Sequence, residues 1–262
     1  MTPFQQAQNY AARRAQALRN MKSHITDILR SSVRDIVART APLTTASNKA
    51  LFKSFVVTAS EDILSGANST MEQYIKEYSK ASIKVLGDSD SGAITRLING
   101  ELFGKTFAER NNTYIGYFAN DIANLLFACR KLRMSRTETE SALLKHFRDP
   151  YSSNVISRAN REQNANIQVP SYGRGIYHSA FQNIVRNAQG VIAIAWGREL
   201  AYYARHNNDD IVGFRVHRGS SFPCDICDDE VNVGVHPLTD QMPPFHVNCV
   251  CWVEFVKKGE NV

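Results

Sequence analysis

The chain has 262 residues and a mass of 29.4 kDa, with 43% hydrophobic residues and a net charge of +6; that is enough length and apolar content for one large or two modest packed domains, which excludes a disordered chain. The longest uninterrupted apolar run, Val191 to Trp196, falls far short of the roughly 18–20 residues that cross a bilayer, so no membrane partner is expected. The opening Met1-Thr2-Pro3-Phe4 lacks the charged-then-apolar pattern of a secretory signal, and the expectation is folding in the reducing cytoplasm where the chain is made.

Charge divides the chain. From Asp209 onward nine acidic residues stand against four basic ones, while 27 basic and 16 acidic residues precede it. A basic majority suits nucleic acid, an acidic protein partner or plain solubility. In chain order, Leu18, Met21, Ile25, Ile28, Leu29, Val33 and Ile36 recur at three- and four-residue steps and predict a long helix ending before Pro42. Arg13, Arg14, Arg19 and Lys22 precede its first acid, Asp27. They form a positive arm, which is either a solvated face or the place where double-stranded DNA would be touched without sequence preference.

Leu51, Phe55, Ala59 and Ile63 predict a second helix, broken at Gly66 and Asn68, and Met71, Ile75, Tyr78 and Ile83 a third. Asp88 to Gly92 reads as a turn and not a calcium loop, because the fifth position is glycine and the twelfth is Asn99. Tyr114, Phe118, Ile122, Leu125 and Cys129 form a further stripe that makes Cys129 a buried apolar residue. Ser135 and Glu138 form a capping box opening a short helix to Phe147, closed by Asp149-Pro150. The Asn-, Ser- and Gln-rich stretch from Ser152 to Val169 reads as a loop. Beyond Tyr172-Gly173-Arg174-Gly175 comes a helix through Ile184 and, after Gly190, another to Arg205. Ile211–His217 and Cys251–Val256 are strand candidates separated by turns. The expected fold is mainly α, with long helices followed by a small C-terminal β-rich, zinc-ribbon-like module, α+β overall. The expected segments are a helical region (1–150), a helical lead-in (151–208) and a Cys/His module (209–262).

Chemistry concentrates in that module. Cys224 and Cys227 form a knuckle able to turn both sulfurs toward one ion, and 21 residues separate Cys227 from Cys249. His246 precedes Cys249 by the same interval, and Cys251 shares a strand face with Cys249. Five donors therefore compete for the four positions of a tetrahedral, structural zinc site. Two disulfides, or buried free thiols, are the alternatives. A zinc deaminase is rejected because no His is followed two residues on by Glu. A zinc finger binding DNA is disfavoured by the module's acidity. His217, His236 and His246 keep open an HNH-like, metal-dependent nuclease.

Gly213-Phe214-Arg215-Val216-His217, then Pro223-Cys224 and Cys227, then Pro243-Pro244, His246 and Asn248-Cys249 with Cys251 resemble the C-terminal signature of the phage Mu F-like minor head proteins, or phage head morphogenesis proteins. With the Tyr172–Gly175 lead-in, the resemblance covers roughly residues 150–257. Val247 and Val250 stand where the family usually has proline and arginine, and only Arg198-Glu199 matches its Arg-x-Glu-rich lead-in. The resemblance implies a non-enzymatic virion component assembled in the host cytoplasm. It would act with portal and head proteins in head morphogenesis and in DNA packaging or ejection.

Overall fold

Nine buried positions on the first helix repeat at three or four residues, Ala7, Tyr10, Arg14, Ala17, Met21, Ile25, Leu29, Val33 and Ile36, with Thr40 continuing the step just past its end. That spacing keeps one stripe of an α-helix against a core for its whole length. A computed structural model describes residues 2–43, 48–86, 91–101, 104–149, 153–168, 179–246 and 248–260. Its elements are α1 (Pro3–Arg39), α2 (Lys49–Leu86), α3 (Ser91–Asn99), α4 (Phe107–Lys131), α5 (Arg136–Arg148), α6 (Val155–Gln163), α7 (Ala180–His206), β1 (Ile211–His217), α8 (Asp225–Asn232), β2 (Val235–His236) and β3 (Trp252–Lys257). The class is mainly α with a small C-terminal antiparallel sheet, as the periodicities predict.

Packing gathers these elements into two units made of discontinuous pieces. One holds Met1–Lys22, Tyr74–Phe107 and Ala188–Val262, the other Ser23–Gln73 and Ala108–Asn187. They cross the segments 1–150, 151–208 and 209–262, which follow sequence texture and not contact. The second unit is built on α4, where Phe118, Ile122, Leu125 and Cys129 are fully buried. Phe118 meets Phe147 edge-on at 4.7 Å between ring centroids and Phe181 at 5.8 Å, geometries that favour the aromatic quadrupole. The expected capping box is present: Glu138 N–H donates to Ser135 Oγ (3.3 Å) and Ser135 N–H to the Glu138 carboxylate (2.8 Å).

Several sequence expectations are corrected. Gly66 and Asn68 do not break α2, which runs unbroken from Lys49 to Leu86. A lone glycine costs a long helix only about 1 kcal/mol, and Asn68 bonds the side chains of Asn111 and Asn112 instead of competing for its own backbone. Gly190 likewise lies inside α7. The stretch expected as a loop holds α6, because Val155, Ile156 and Ala159 share one buried face. Asparagine acts only at its end. Asn164 takes the left-handed conformation that closes the helix, and the Asn160 amide bonds both N–H and C=O of Ile167. The turns expected between the two C-terminal strands include a helix, α8. The Asp88 turn (in its residues 88–90), Pro150, Tyr172–Gly175 and Val247 lie outside the described residues.

The first unit centres on Trp196 of α7. Its Nε1–H donates to Tyr78 O (2.9 Å), its carbonyl accepts from Tyr10 Oη (2.7 Å), and the Tyr10 ring lies 5.1 Å away. The sheet runs β2-β1-β3, all antiparallel, with Phe214 opposite both His236 and Phe255. Phe214 is fully buried and stacks on His236 at 4.9 Å. One step beyond Trp196, a Cβ on Gly197 would stand 2.2 Å from Pro243 O. Only glycine lets α7 come this close to the loop that carries the next knuckle.

Candidate metal centre

Two knuckles converge beside this sheet. In the first, Cys224 is the N-cap of α8 in extended conformation and Cys227 lies in the first turn. A three-residue step at a helix start sets both sulfurs on one side. The Arg218 guanidinium braces the knuckle, donating to Cys224 O (3.3 Å), to Phe222 O and to the Asp228 carboxylate. In the second, Cys249 N–H donates to His246 O (3.1 Å), and Asn248 adopts φ 64°, a left-handed setting asparagine tolerates. Cys251 stands immediately before β3. A Cβ on Gly219, before the first knuckle, would stand 2.0 Å from the Val250 carbonyl of the second, so the two backbones come this close only because residue 219 has no side chain.

All five donors come together. Cys224, Cys227 and His246 form one group and Cys227, Cys249 and Cys251 another, with ligand atoms inside each within 4.8 Å of one another. His246 Nε2 lies 3.2 Å from Cys224 Sγ and 3.0 Å from Cys227 Sγ, and Cys227 and Cys249 sulfurs are 3.9 Å apart. A tetrahedral ion with bonds of about 2.3 Å to sulfur and about 2.0 Å to nitrogen sets sulfur–sulfur edges of about 3.8 Å and sulfur–nitrogen edges of about 3.5 Å. The sulfur pair fits, and the sulfur–nitrogen edges need to open by up to about half an ångström. The cluster can hold a metal ion. Cys227, Cys249 and Cys251 are each at most 3% exposed, and the thiols are free.

The protons are unevenly shared. A hydrogen bond from Cys251 pulls Cys249 down to about 5, and burial pushes Cys227 up to about 12. Cys251 is pushed up, first by that same bond to Cys249 and then by burial. Of these three thiols, Cys249 is thus the first to become a thiolate.

The remaining candidates lie elsewhere. His236 is 2% exposed, with one ring nitrogen 2.7 Å from Glu230 O and the other 3.2 Å from the Asp240 carboxylate. His217 contacts the Glu254 carboxylate at 2.9 Å and stacks on Trp252 at 4.2 Å. Neither belongs to a ligand group among the described residues. Arg13, Arg19 and Lys22 are exposed on α1, as the positive arm requires. Arg14 is not: it is 6% exposed and donates to Cys251 O at 2.6 Å, which removes it from any surface that could meet phosphate. Sequence reasoning began the apolar stripe at Leu18 and therefore missed it; stepping back from Met21 through Ala17 lands on Arg14, then Tyr10 and Ala7. Arg218 was missed as well, and its place directly after the first strand and six residues before Cys224 was the available signal. Set against known proteins, the chain matches no family model, no curated protein and no solved structure.

Proposed function

We propose that this chain is a minor head protein of a tailed phage or prophage, non-enzymatic, held together at its C-terminal end by a structural zinc ion. The observation that carries the reading is the convergence of the separated motifs Pro223–Cys227 and Pro243–Cys251 on one cluster, the framework of the Mu F-like signature. A soft donor set of four thiols and one imidazole suits zinc and closes a shell with no position left for a reacting water. Cys224, Cys227, His246 and Cys249 are assigned to the ion, with Cys251 hydrogen-bonded to Cys249. Both ring nitrogens of His236 are engaged, which weighs against the nuclease. Asp225, Asp228, Asp229 and Glu230 cluster on and beside the first knuckle, which weighs against a zinc finger on DNA.

The proposed setting is the virion, at the portal end, with portal and head proteins as partners and assembly in the host cytoplasm. Contact with double-stranded DNA would fall to Arg13, Arg19 and Lys22, weak and steeply salt-dependent. The test is assembly without the protein. Shells should form but infect poorly, and the protein should co-purify with heads through the portal; full infectivity of particles lacking it would remove the function. In the same preparation, changing Arg13, Arg19 and Lys22 to Gln should abolish low-salt duplex binding.

A further inference from the structure

We infer that Arg14 is the charge partner of the metal centre, and that the ion and the first turns of α1 hold each other in place. The inference rests on the zinc reading above. On the buried stripe of α1, Arg14 stands between Tyr10 and Ala17, where the other positions as far as Met21 are Ala7, Tyr10, Ala17 and Met21. A guanidinium taken out of water is costly unless charge and hydrogen bonds compensate it. Among the described residues no carboxylate forms an ion pair with it; its hydrogen bond goes to the carbonyl of Cys251, at 2.6 Å.

Three thiolates and an imidazole around a divalent ion leave one net negative charge, and four thiolates leave two. A buried cation against the Cys249–Cys251 knuckle offsets that charge and also fixes the backbone from which both sulfurs hang. Residues that orient a metal's ligands in this way affect affinity although they never touch the ion. The coupling runs in both directions: whatever the centre gains from a seated α1, α1 gains from a loaded centre.

The test measures zinc affinity of the full-length chain by competition with a chromogenic chelator, together with hydrogen exchange of residues 3–22 in loaded and stripped protein. Arg14→Gln should weaken zinc binding about 10- to 100-fold. Arg14→Lys, which keeps the charge and loses the fork, should fall between. Tyr10→Phe loosens the same helix by removing its bond to Trp196 O but keeps Arg14 in place, so it should weaken zinc binding by no more than about threefold, less than Arg14→Gln does. Stripping zinc should lower protection of residues 3–22 in the wild type. Should Arg14→Gln fail to fold, Arg14→Lys against Tyr10→Phe decides. Equal losses in Arg14→Gln and Tyr10→Phe would reduce Arg14 to helix docking and overturn the inference, as would unchanged affinity in Arg14→Gln. A wild-type chain that takes up no zinc would overturn the zinc reading itself, and this inference with it.

Discussion

His146 is buried at the end of α5, edge-on to Phe147, and its Nδ1 has no hydrogen-bond partner among the described residues. Burial holds the imidazole below its ordinary value of 6.5. The unfolded chain then binds the proton more readily than the folded one, so stability falls as the pH drops through 6.5 and levels off below the folded value. His146→Phe should flatten the dependence of Tm on pH between 5 and 7 relative to wild type; equal slopes would mean that the ring is solvated. At this scale the donor set was readable because two-residue intervals between cysteines and histidine have a chemical reason. The supports were less so: Arg14 acts on the carbonyl of Cys251, 237 residues away and brought near only by folding, while Arg218 acts on carbonyls four and six residues on, a local signal that its position before the knuckle carried.

Elements were readable wherever a stripe ran long. α1, α4 and α5 follow from the spacing of Met21 to Ile36, Phe118 to Cys129 and the Ser135–Glu138 cap. Punctuation misled at Gly66 and Gly190 because a glycine's weak local preference is outvoted by the hydrogen bonds of the turns on either side. Neither glycine has any atom within 4 Å of where a Cβ would stand, whereas Gly197 has Pro243 O at 2.2 Å. Gly66→Ala should therefore stabilise the protein by about 0.5–1 kcal/mol. Gly197→Ala should destabilise it by about 1–3 kcal/mol by forcing α7 off the Pro243 loop. Thermal melts of the two variants check the pair, and shifts of the same sign would contradict the packing described here.

For the whole molecule, the change of texture at Asp209 marked the Cys/His module, yet packing joins that module to the first turns of α1 and to α7. The sequence alone could not show this, since the joining contacts span from 46 residues, for Gly197 with Pro243, to 237, for Arg14 with Cys251. The exposed Phe222, 77% accessible, contributes nothing to the module's interior. What remains is small for some 50 residues and calls for a staple. Calorimetry should accordingly show two transitions. One should rise with added zinc and fall with chelator, because only the folded module binds the ion. The other, belonging to the unit around Phe118, Phe147 and Phe181, should stay in place. Cys224→Ser should abolish the zinc response and Cys129→Ser should leave it intact, since Cys129 is sealed within α4 and pushed up to about 12 by burial. Movement of both transitions with zinc would contradict this separation.

The bond from Arg14 to the carbonyl of Cys251 also sets an order of events during synthesis. Its two ends are separated by 237 positions, so at about 5–20 residues per second the arginine leaves the ribosome roughly 10–50 s before its acceptor exists. Every segment of the second unit emerges within that interval. The helix turn that carries Arg14 is thus made before every segment of the second unit, yet its bond to the knuckle closes only after the last of them, once Cys251 has emerged.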